Sequence, residues 1–285
     1  MDGRRARSVS RVKPHRETRR RKPKRSSVRT TKAPPARRIL SPSDTLLVLR
    51  FLGTRGEIEL RTERHRRHSV LMVSAGGNQV LVDCGADWRD ELERLRPRAI
   101  VVTHAHPDHV GGLRRGAPCP VYATAATWET IGRYPLPARE TVRPREPFEI
   151  GGIRFEAFAL EHSLVAPAVA YRITRGGRSL LYAPDVLSIS ERAAALGGVT
   201  LYVGDGASPT RPIVRRRGRT RIGHASIKQQ LDWCAAASVS RAAFTHCGSQ
   251  ILRDEEGAGE RVRALGAERG VRAELAYDGL RLVLR

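Results

Sequence analysis

Short runs of apolar and β-branched residues recur along the chain from Asp44 onward, and each ends in Gly, Asp or His. Such runs are typical of strands that deliver polar side chains to a loop edge. Four predicted strands come first, at residues 45–53, 69–75, 79–85 and 99–105. Eight more follow, at residues 121–124, 152–160, 168–174, 179–185, 200–206, 241–247, 271–277 and 280–285.

Helical periodicity occurs between these strands, in residues 90–96, 225–237 and 255–269. Helices threaded among many strands fit neither a simple βα repeat nor an all-β sandwich. The pattern therefore predicts an α+β protein in which two mixed sheets pack together with helices on their outer faces.

Positive charge is concentrated near the start of the chain, which indicates that this segment is not part of the folded domain. Of the 52 Lys and Arg residues, 16 lie in the first 40 positions, where the acidic residues are Asp2 and Glu17. A segment with so little apolar content cannot bury enough surface to offset its chain entropy. We predict a disordered Arg-rich tail at residues 1–43 and a folded domain at residues 44–285. The tail could bind nucleic acid through its phosphates; a solvated tail without a partner and a wrongly chosen start codon are the alternatives.

Cysteine usage and hydropathy restrict the class of protein further. The four cysteines have no paired spacing, which predicts free thiols rather than a disulfide framework. The chain has no run of about 18 apolar residues, and no apolar segment follows the basic N-terminus. We therefore expect a cytoplasmic protein without membrane association.

The stretch THAHPDHVGG, at residues 103–112, concentrates three histidines and an aspartate in a few positions. His104 and His106 alternate just past a strand, so their side chains leave on the same side. Asp108 and His109 follow across Pro107, and a helix is expected to begin at VGGL. Histidine nitrogens with a carboxylate suit zinc, manganese or iron better than calcium or magnesium.

Further residues of the same types follow three later apolar runs. His162, Asp185 and His246 each lie at the end of a predicted strand, immediately after its apolar run. One such residue alone is usually a capping residue, but three of them behind the HxHxDH stretch indicate a metal site, with enough ligands for two ions.

This constellation resembles the metallo-β-lactamase fold hydrolases, over residues 46–285. The resemblance implies a four-layer αββα sandwich that binds two divalent ions at the edge between its sheets; zinc is expected, with manganese and iron as alternatives. It assigns His104, His106 and His162 to one metal, and Asp108, His109 and His246 to the second, with Asp185 bridging. It makes Asp83 a carboxylate that orients ligand histidines. FLGTRG, at residues 51–56, matches a common opening motif of the family.

The stretch GHASIKQQLDWC, starting at Gly223, indicates a branch of the family. With the motifs around it, it is similar to the phosphoribosyl cyclic phosphate phosphodiesterase group and, more distantly, to tRNA 3′-processing endonucleases. That resemblance implies that His224, expected before a helix and not at a strand end, assists catalysis; a capping or core histidine is the alternative. A cysteine cluster for an extra structural zinc is missing from the sequence, as is a long tRNA-clamping insertion.

The expected reaction is hydrolysis of a phosphodiester or cyclic phosphate. A water held between two metals has its pKa lowered toward roughly 7, and the resulting hydroxide attacks phosphorus. His224 would assist the leaving oxygen, and Asp108 is also expected to be catalytic. The basic segment 211–221 is expected to be a loop whose Arg217, Arg219 and Arg221 bind substrate phosphate, with a solvated loop as the alternative.

Three other outcomes stay open at this point. The same metal site could hydrolyse a thioester or a lactone, because this fold hosts several chemistries. The protein could be a nuclease that uses the tail and segment 211–221 on nucleic acid. The substrate is accordingly a phosphorylated small molecule or a nucleic acid, and a homodimer is a further possibility.

Overall fold

A computed structural model describes residues 46–218 and 220–284. Within these ranges the chain forms 17 strands, which in chain order are β1 (Leu47–Gly53), β2 (Val70–Ala75), β3 (Asn78–Val82), β4 (Ala99–Val101), β5 (Val121–Thr124), β6 (Arg139–Val142), β7 (Phe148–Ile150), β8 (Ile153–Glu161), β9 (Ala168–Arg175), β10 (Arg178–Tyr182), β11 (Ser188–Ile189), β12 (Leu201–Asp205), β13 (Ile213–Arg217), β14 (Thr220–His224), β15 (Arg241–Thr245), β16 (Arg272–Leu275) and β17 (Arg281–Leu284). The predicted tail at residues 1–43 lies outside the described residues, as does Arg219.

The described helices are mostly short and lie between strands. They are α1 (Leu92–Leu95), α2 (Pro107–Val110), α3 (Ala125–Ile131), α4 (Arg192–Leu196), α5 (Ile227–Ala236), α6 (Ser249–Leu252) and α7 (Glu255–Ala267). In the described part of the chain, no helix has the length and apolarity to cross a membrane.

Two mixed sheets form the centre of the fold. The first has the order β17-β1-β2-β3-β4-β5-β6, antiparallel from β17 to β3 and parallel from β3 to β6. The second has the order β11-β8-β9-β10-β12-β15-β16, with β7 also paired to β8, and is parallel from β10 to β16. The β13–β14 hairpin belongs to neither sheet.

Apolar residues lie in three layers, as alternation along the strands requires. In β12, Leu201 and Val203 face the core between the two sheets, whereas Tyr202 faces the helices outside the second sheet. Leu231 of α5 packs in that outer layer, and Leu92 of α1 packs in the layer outside the first sheet. The predicted αββα sandwich is confirmed.

Two local predictions were wrong. Segment 211–221 is not a loop, because residues 213–217 and 220–224 pair as a hairpin. β13 is exposed along its whole length, so it has no buried face to produce an alternating apolar pattern. The helix of the HxHxDH stretch begins at Pro107 rather than at VGGL, which fits proline's preference for the first helical position.

The predicted free thiols are confirmed. The four cysteines, Cys84, Cys119, Cys234 and Cys247, are all buried and unpaired.

Candidate metal centre

Strand direction brings the predicted ligands to one edge of the sandwich. β10, β12 and β15 are parallel, and β8 shares their direction because two antiparallel pairings connect it to β10 through β9. The carboxyl ends of these strands therefore meet at one edge. His162 follows β8, Asp185 lies just beyond β10, and His246 follows β15. Across the sandwich, β3 and β4 are also parallel and lead to Asp83 and His104.

Three of the predicted ligands form one cluster of imidazoles. His104 Nε2 lies 2.9 Å from His106 Nδ1, which lies 3.3 Å from His162 Nε2. Burial lowers the pKa of all three, that of His106 to about 4, so these rings are neutral at pH 7. Neutral imidazole is the form that binds a metal ion.

The other four predicted ligands form a second cluster beside the first. Asp108 Oδ2 lies 3.2 Å from His109 Nε2 and 3.0 Å from His246 Nε2. Asp185 Oδ2 lies 2.6 Å from His109 Nε2 and 3.6 Å from His104 Nε2. Asp185 therefore contacts ligand candidates of both clusters, and its bridging role stays a prediction.

Unpaired buried atoms test whether these residues fit metal ions. Four buried polar atoms of the second cluster make no hydrogen bond of normal geometry, although ion-pair contacts as short as 2.6 Å reach some of them: Asp108 Oδ1, His109 Nε2, Asp185 Oδ1 and His246 Nδ1. Leaving a buried polar atom unpaired costs about 1–3 kcal/mol. The atoms are imidazole nitrogens and carboxylate oxygens, which suit zinc and similar divalent ions. The residues therefore fit a metal centre, and each cluster could hold an ion.

Neighbouring acceptors orient two of the imidazoles. His109 Nδ1 donates to Asp83 Oδ2 at 2.8 Å, and Asp83 Oδ1 also accepts the Thr103 N–H at 2.8 Å. His162 Nδ1 donates to the Gly223 carbonyl at 3.1 Å. Both contacts leave Nε2 as the nitrogen available to a metal. The contact of Asp83 is the one expected of an orienting carboxylate, and its role stays a prediction.

Backbone conformation contributes to the site in a way that the sequence did not indicate. Asp83 has φ of 67° and His246 has φ of 54°. Few residues other than glycine adopt this left-handed region, and such strain is concentrated at functional sites. Both residues occupy the first position after a strand, so the unusual φ turns each side chain into the edge at once.

His224 ends β14, so the expectation that it lies outside a strand was wrong. Its Nδ1 lies 2.7 Å from Asp205 Oδ2 and 3.2 Å from Asp185 Oδ1. Burial by itself lowers the pKa of His224, but these carboxylates outweigh burial and raise the pKa to about 11.

Asp205 is a site residue that was not predicted from the sequence. Its carboxylate also accepts the N–H groups of Val186 at 3.0 Å and Ala207 at 2.8 Å. Asp205 belongs to a third cluster, with Asp185, His224 and His246, that could also hold a metal. Because its oxygens already have partners, it fits an orienting group better than a ligand. The signal was present in TLYVGD, where Asp205 ends an apolar run as His162 and His246 follow theirs.

Two adjoining cavities open beside the clusters. One, of about 280 Å³, lies between the 56–58 loop and Ile213, and the other, of about 250 Å³, reaches Arg215. Of the arginines predicted to bind substrate, Arg217 lies two residues beyond Arg215, at the last position of β13. Arg221 is directed elsewhere, because it lies 3.8 Å from Glu161.

Comparisons with known proteins identify the family. The sequence model of the beta-lactamase superfamily domain matches residues 78–247, more than half of the chain. The chain is 33% identical over 147 residues to the ribonuclease Z of Methanopyrus kandleri, a match that covers 46% of this chain and about half, 51%, of that protein. It is 25% identical over 284 residues to the ribonuclease Z of Mycobacterium marinum, covering 82% of this chain and 97% of that one.

A solved structure shares the fold. A diphosphatase from the PhnP family superposes with a TM-score of 0.62 and 20% identity, covering 84% of this chain and 97% of that one. The family match, the sandwich and the ligand-type residues at its edge agree with one another. The chain belongs to the beta-lactamase superfamily and is a metal-dependent hydrolase with the metallo-β-lactamase fold.

Proposed function

We propose that the protein is a phosphodiesterase that uses two divalent cations. The observation that carries the proposal is the pairing of His224 with Asp205 at the mouth of the metal centre, which places a proton donor beside the ligand clusters. The relatives named ribonuclease Z support the same reaction class.

The chain's own residues divide into two ligand sets. His104, His106 and His162 would hold one cation, and Asp108, His109 and His246 the other, with Asp185 between them. Bound cations would supply Lewis acidity, which polarises a phosphoryl oxygen and activates water. Zinc is the cation we expect from this donor set.

His224 provides the acid. Its Nδ1 is held by Asp205, so Nε2 is the nitrogen available to a substrate in the cavity that the ring lines. The Asp205 carboxylate, 2.7 Å from Nδ1, favours the protonated ring. The proton can pass from Nε2 to the leaving oxygen as the phosphorus–oxygen bond breaks. Asp205 acts through His224, as a positioning residue.

The first test compares leaving groups with the His224→Ala variant, after reconstitution with zinc. A general acid contributes about 10²–10⁴-fold to the rate. We expect a loss of that order on a dinucleoside phosphate, whose alkoxide needs a proton. The loss on bis(p-nitrophenyl) phosphate should be smaller, because p-nitrophenolate leaves without help.

The metal content of both proteins, measured by elemental analysis, is the control, and it should stay at two ions per chain. Equal rates for wild type and variant on both substrates would contradict the role of His224. A wild type that hydrolyses S-lactoylglutathione but neither phosphodiester would overturn the proposed function. Cytoplasmic location, a homodimer and nucleic-acid contact by residues 1–40 stay predictions.

A further inference from the structure

The β13–β14 hairpin flanks the metal centre without being part of either sheet. All five residues of β13 are exposed, and three of them are arginines. β13 has no buried face, so packing in the core does not explain why it forms. This hairpin is basic and lies beside the two cavities of the metal centre. Only one of its two faces can contact a substrate bound there.

Cross-strand pairing assigns each side chain to a face. His224 pairs with Ile213, Ile222 with Arg215, and Thr220 with Arg217. Paired residues point to the same side, and alternate residues share a side. Ile213, Arg215 and Arg217 therefore share the face of His224, which we call the site face.

The cavities confirm this assignment. Ile213, Arg215 and Ile222 line the cavity of about 250 Å³ together with His106 and His162. The opposite face includes Arg216 and its partner Arg221, which lies 3.8 Å from Glu161. Arg215 thus lines a cavity, Arg217 shares its face by strand alternation, and Arg216 and Arg221 face away.

The base of the hairpin is joined directly to a candidate metal ligand. The Gly223 N–H donates to the His162 carbonyl at 2.8 Å, and the Gly223 carbonyl accepts from His162 Nδ1 at 3.1 Å. Gly223 has φ of 126°, and a Cβ there would lie 1.9 Å from the Ile213 carbonyl oxygen, so only glycine allows this approach. The site face is therefore held at a set position relative to the clusters.

Spacing and charge together indicate what this face binds. Arg215 and Arg217 are two residues apart, which is about 6.6 Å along a strand. This distance is comparable with that between successive phosphates of an extended nucleic-acid strand. Arginine binds phosphate oxygens through two parallel hydrogen bonds. A substrate with a single phosphate would leave Arg217 without a role.

We propose that the site face of the β13–β14 hairpin is the docking surface for a single-stranded RNA, whose scissile phosphate lies at the metal centre. Successive phosphates on one side of the scissile bond contact Arg215 and then Arg217, and the exposed Ile213 contacts a base. We choose RNA over DNA because a relative named ribonuclease Z matches over 82% of the chain, whereas one named exodeoxyribonuclease matches over 46%. The inference rests on the proposed phosphodiesterase activity and specifies its substrate.

The test compares arginines on opposite faces of one hairpin. The variants are Arg215→Ser, Arg217→Ser and the matched control Arg216→Ser, all in the full-length, zinc-loaded protein. The measured quantity is kcat/KM for a 20-nucleotide single-stranded RNA divided by kcat/KM for bis(p-nitrophenyl) phosphate. Losing a hydrogen bond to a charged partner should lower this ratio about tenfold for each site-face arginine. The control should keep the wild-type ratio.

Binding provides a readout that does not depend on turnover. Fluorescence anisotropy of a labelled RNA with metal-free protein gives Kd as a function of salt. The slope of log Kd against log salt should decrease by about 0.7 for each phosphate of a single strand that the variant no longer neutralises. We expect that decrease in Arg215→Ser and Arg217→Ser but not in Arg216→Ser.

The outcomes separate this inference from the proposed function. If wild type hydrolyses bis(p-nitrophenyl) phosphate but all three variants lose RNA cleavage equally, or none does, the docking surface is wrong. Preference for DNA of the same sequence would overturn the assignment to RNA. Self-association that Arg215→Ser abolishes would assign the face to a second copy of the chain instead. If wild type hydrolyses no phosphodiester at all, the proposed function itself fails.

Discussion

Individual histidine side chains at the metal centre are oriented by hydrogen-bond acceptors that do not themselves have to contact substrate. Asp83, the Gly223 carbonyl and Asp205 each accept a hydrogen bond from the Nδ1 of a different histidine, at 2.7 to 3.1 Å. For His109 and His162 the contact selects the tautomer in which Nε2 is free for a metal, and for His224 it directs Nε2 toward the substrate. Three histidine rings with different proposed roles are thus oriented by the same kind of hydrogen bond.

The contact between Asp83 and His109 leads to the first residue-scale prediction. Asp83→Asn keeps the size of the side chain and tolerates the positive φ, but an amide cannot accept hydrogen bonds with both of its terminal atoms. We expect zinc affinity, measured by competition with a chromogenic chelator, to fall about 10- to 100-fold.

Asp254→Asn is the matched control, because Asp254 caps α7 away from the site and asparagine caps equally well. Its zinc affinity should equal that of wild type. Wild-type affinity in Asp83→Asn would show that Asp83 does not orient the ligand.

At the scale of elements, the segment after β3 and helix α2 are in direct backbone contact. The Cys84 N–H donates to the His109 carbonyl at 2.6 Å, and the Gly112 N–H donates to the Cys84 carbonyl at 2.9 Å. A Cβ on Gly85 would lie 2.2 Å from the Asp108 carbonyl oxygen. Glycine is therefore required here for space, although its φ of −64° is open to any residue.

Gly85→Ala tests this close approach. The added methyl group must displace the backbone of Asp108, so we expect a loss of roughly 3 kcal/mol in the free energy of unfolding. Zinc affinity should fall as well, because Asp108 and His109 move together. Urea denaturation and zinc titration measure the two effects.

Gly259→Ala provides a control of opposite sign. Gly259 lies inside α7, where a Cβ would meet only the end of the Arg263 side chain at 3.4 Å. Alanine should therefore stabilise the protein by about 0.5–1 kcal/mol without changing zinc affinity. Equal stability of Gly85→Ala and wild type would contradict the proposed contact.

At the scale of the whole molecule, a buried hydrogen-bond network joins segments far apart in sequence. Thr54 donates to Asp278 Oδ1 at 2.7 Å and contacts His65 Nδ1 at 2.8 Å. Burial, with the nearby Arg64 charge, lowers the pKa of His65 to about 4 despite the opposing effect of Glu255. This network links the end of β1 to the turn before β17.

The lowered pKa predicts loss of stability in acid. Between pH 6.5 and about 4, the unfolded state binds a proton at His65 that the folded state does not. The stability that neutral His65 contributes is therefore complete above pH 6.5 and is lost as the pH falls toward 4, by up to about 3 kcal/mol. Urea unfolding of wild type and His65→Gln across this range measures it. The variant should lose less stability than wild type, and parallel curves would contradict the prediction.

Much of the fold and site could be predicted because the informative features are local. Alternating apolar residues identify a strand. The residue after the strand lies at an edge of the sheet, and this placement does not depend on distant parts of the chain. That is why His162, Asp185 and His246 could be selected together as candidate ligands. The αββα sandwich followed from the resemblance that these residues carried together with the HxHxDH stretch.

Other features depended on contacts between distant residues. The sequence by itself determined which chemical groups reach the edge of the sandwich and where the net charge is concentrated. Tertiary structure alone decided that Asp205 pairs with His224 and that Arg215 faces the cavities while Arg221 faces away. The physical reason is that strand register and the facing of two sheets are set by packing and hydrogen bonds between remote segments, which no local pattern encodes.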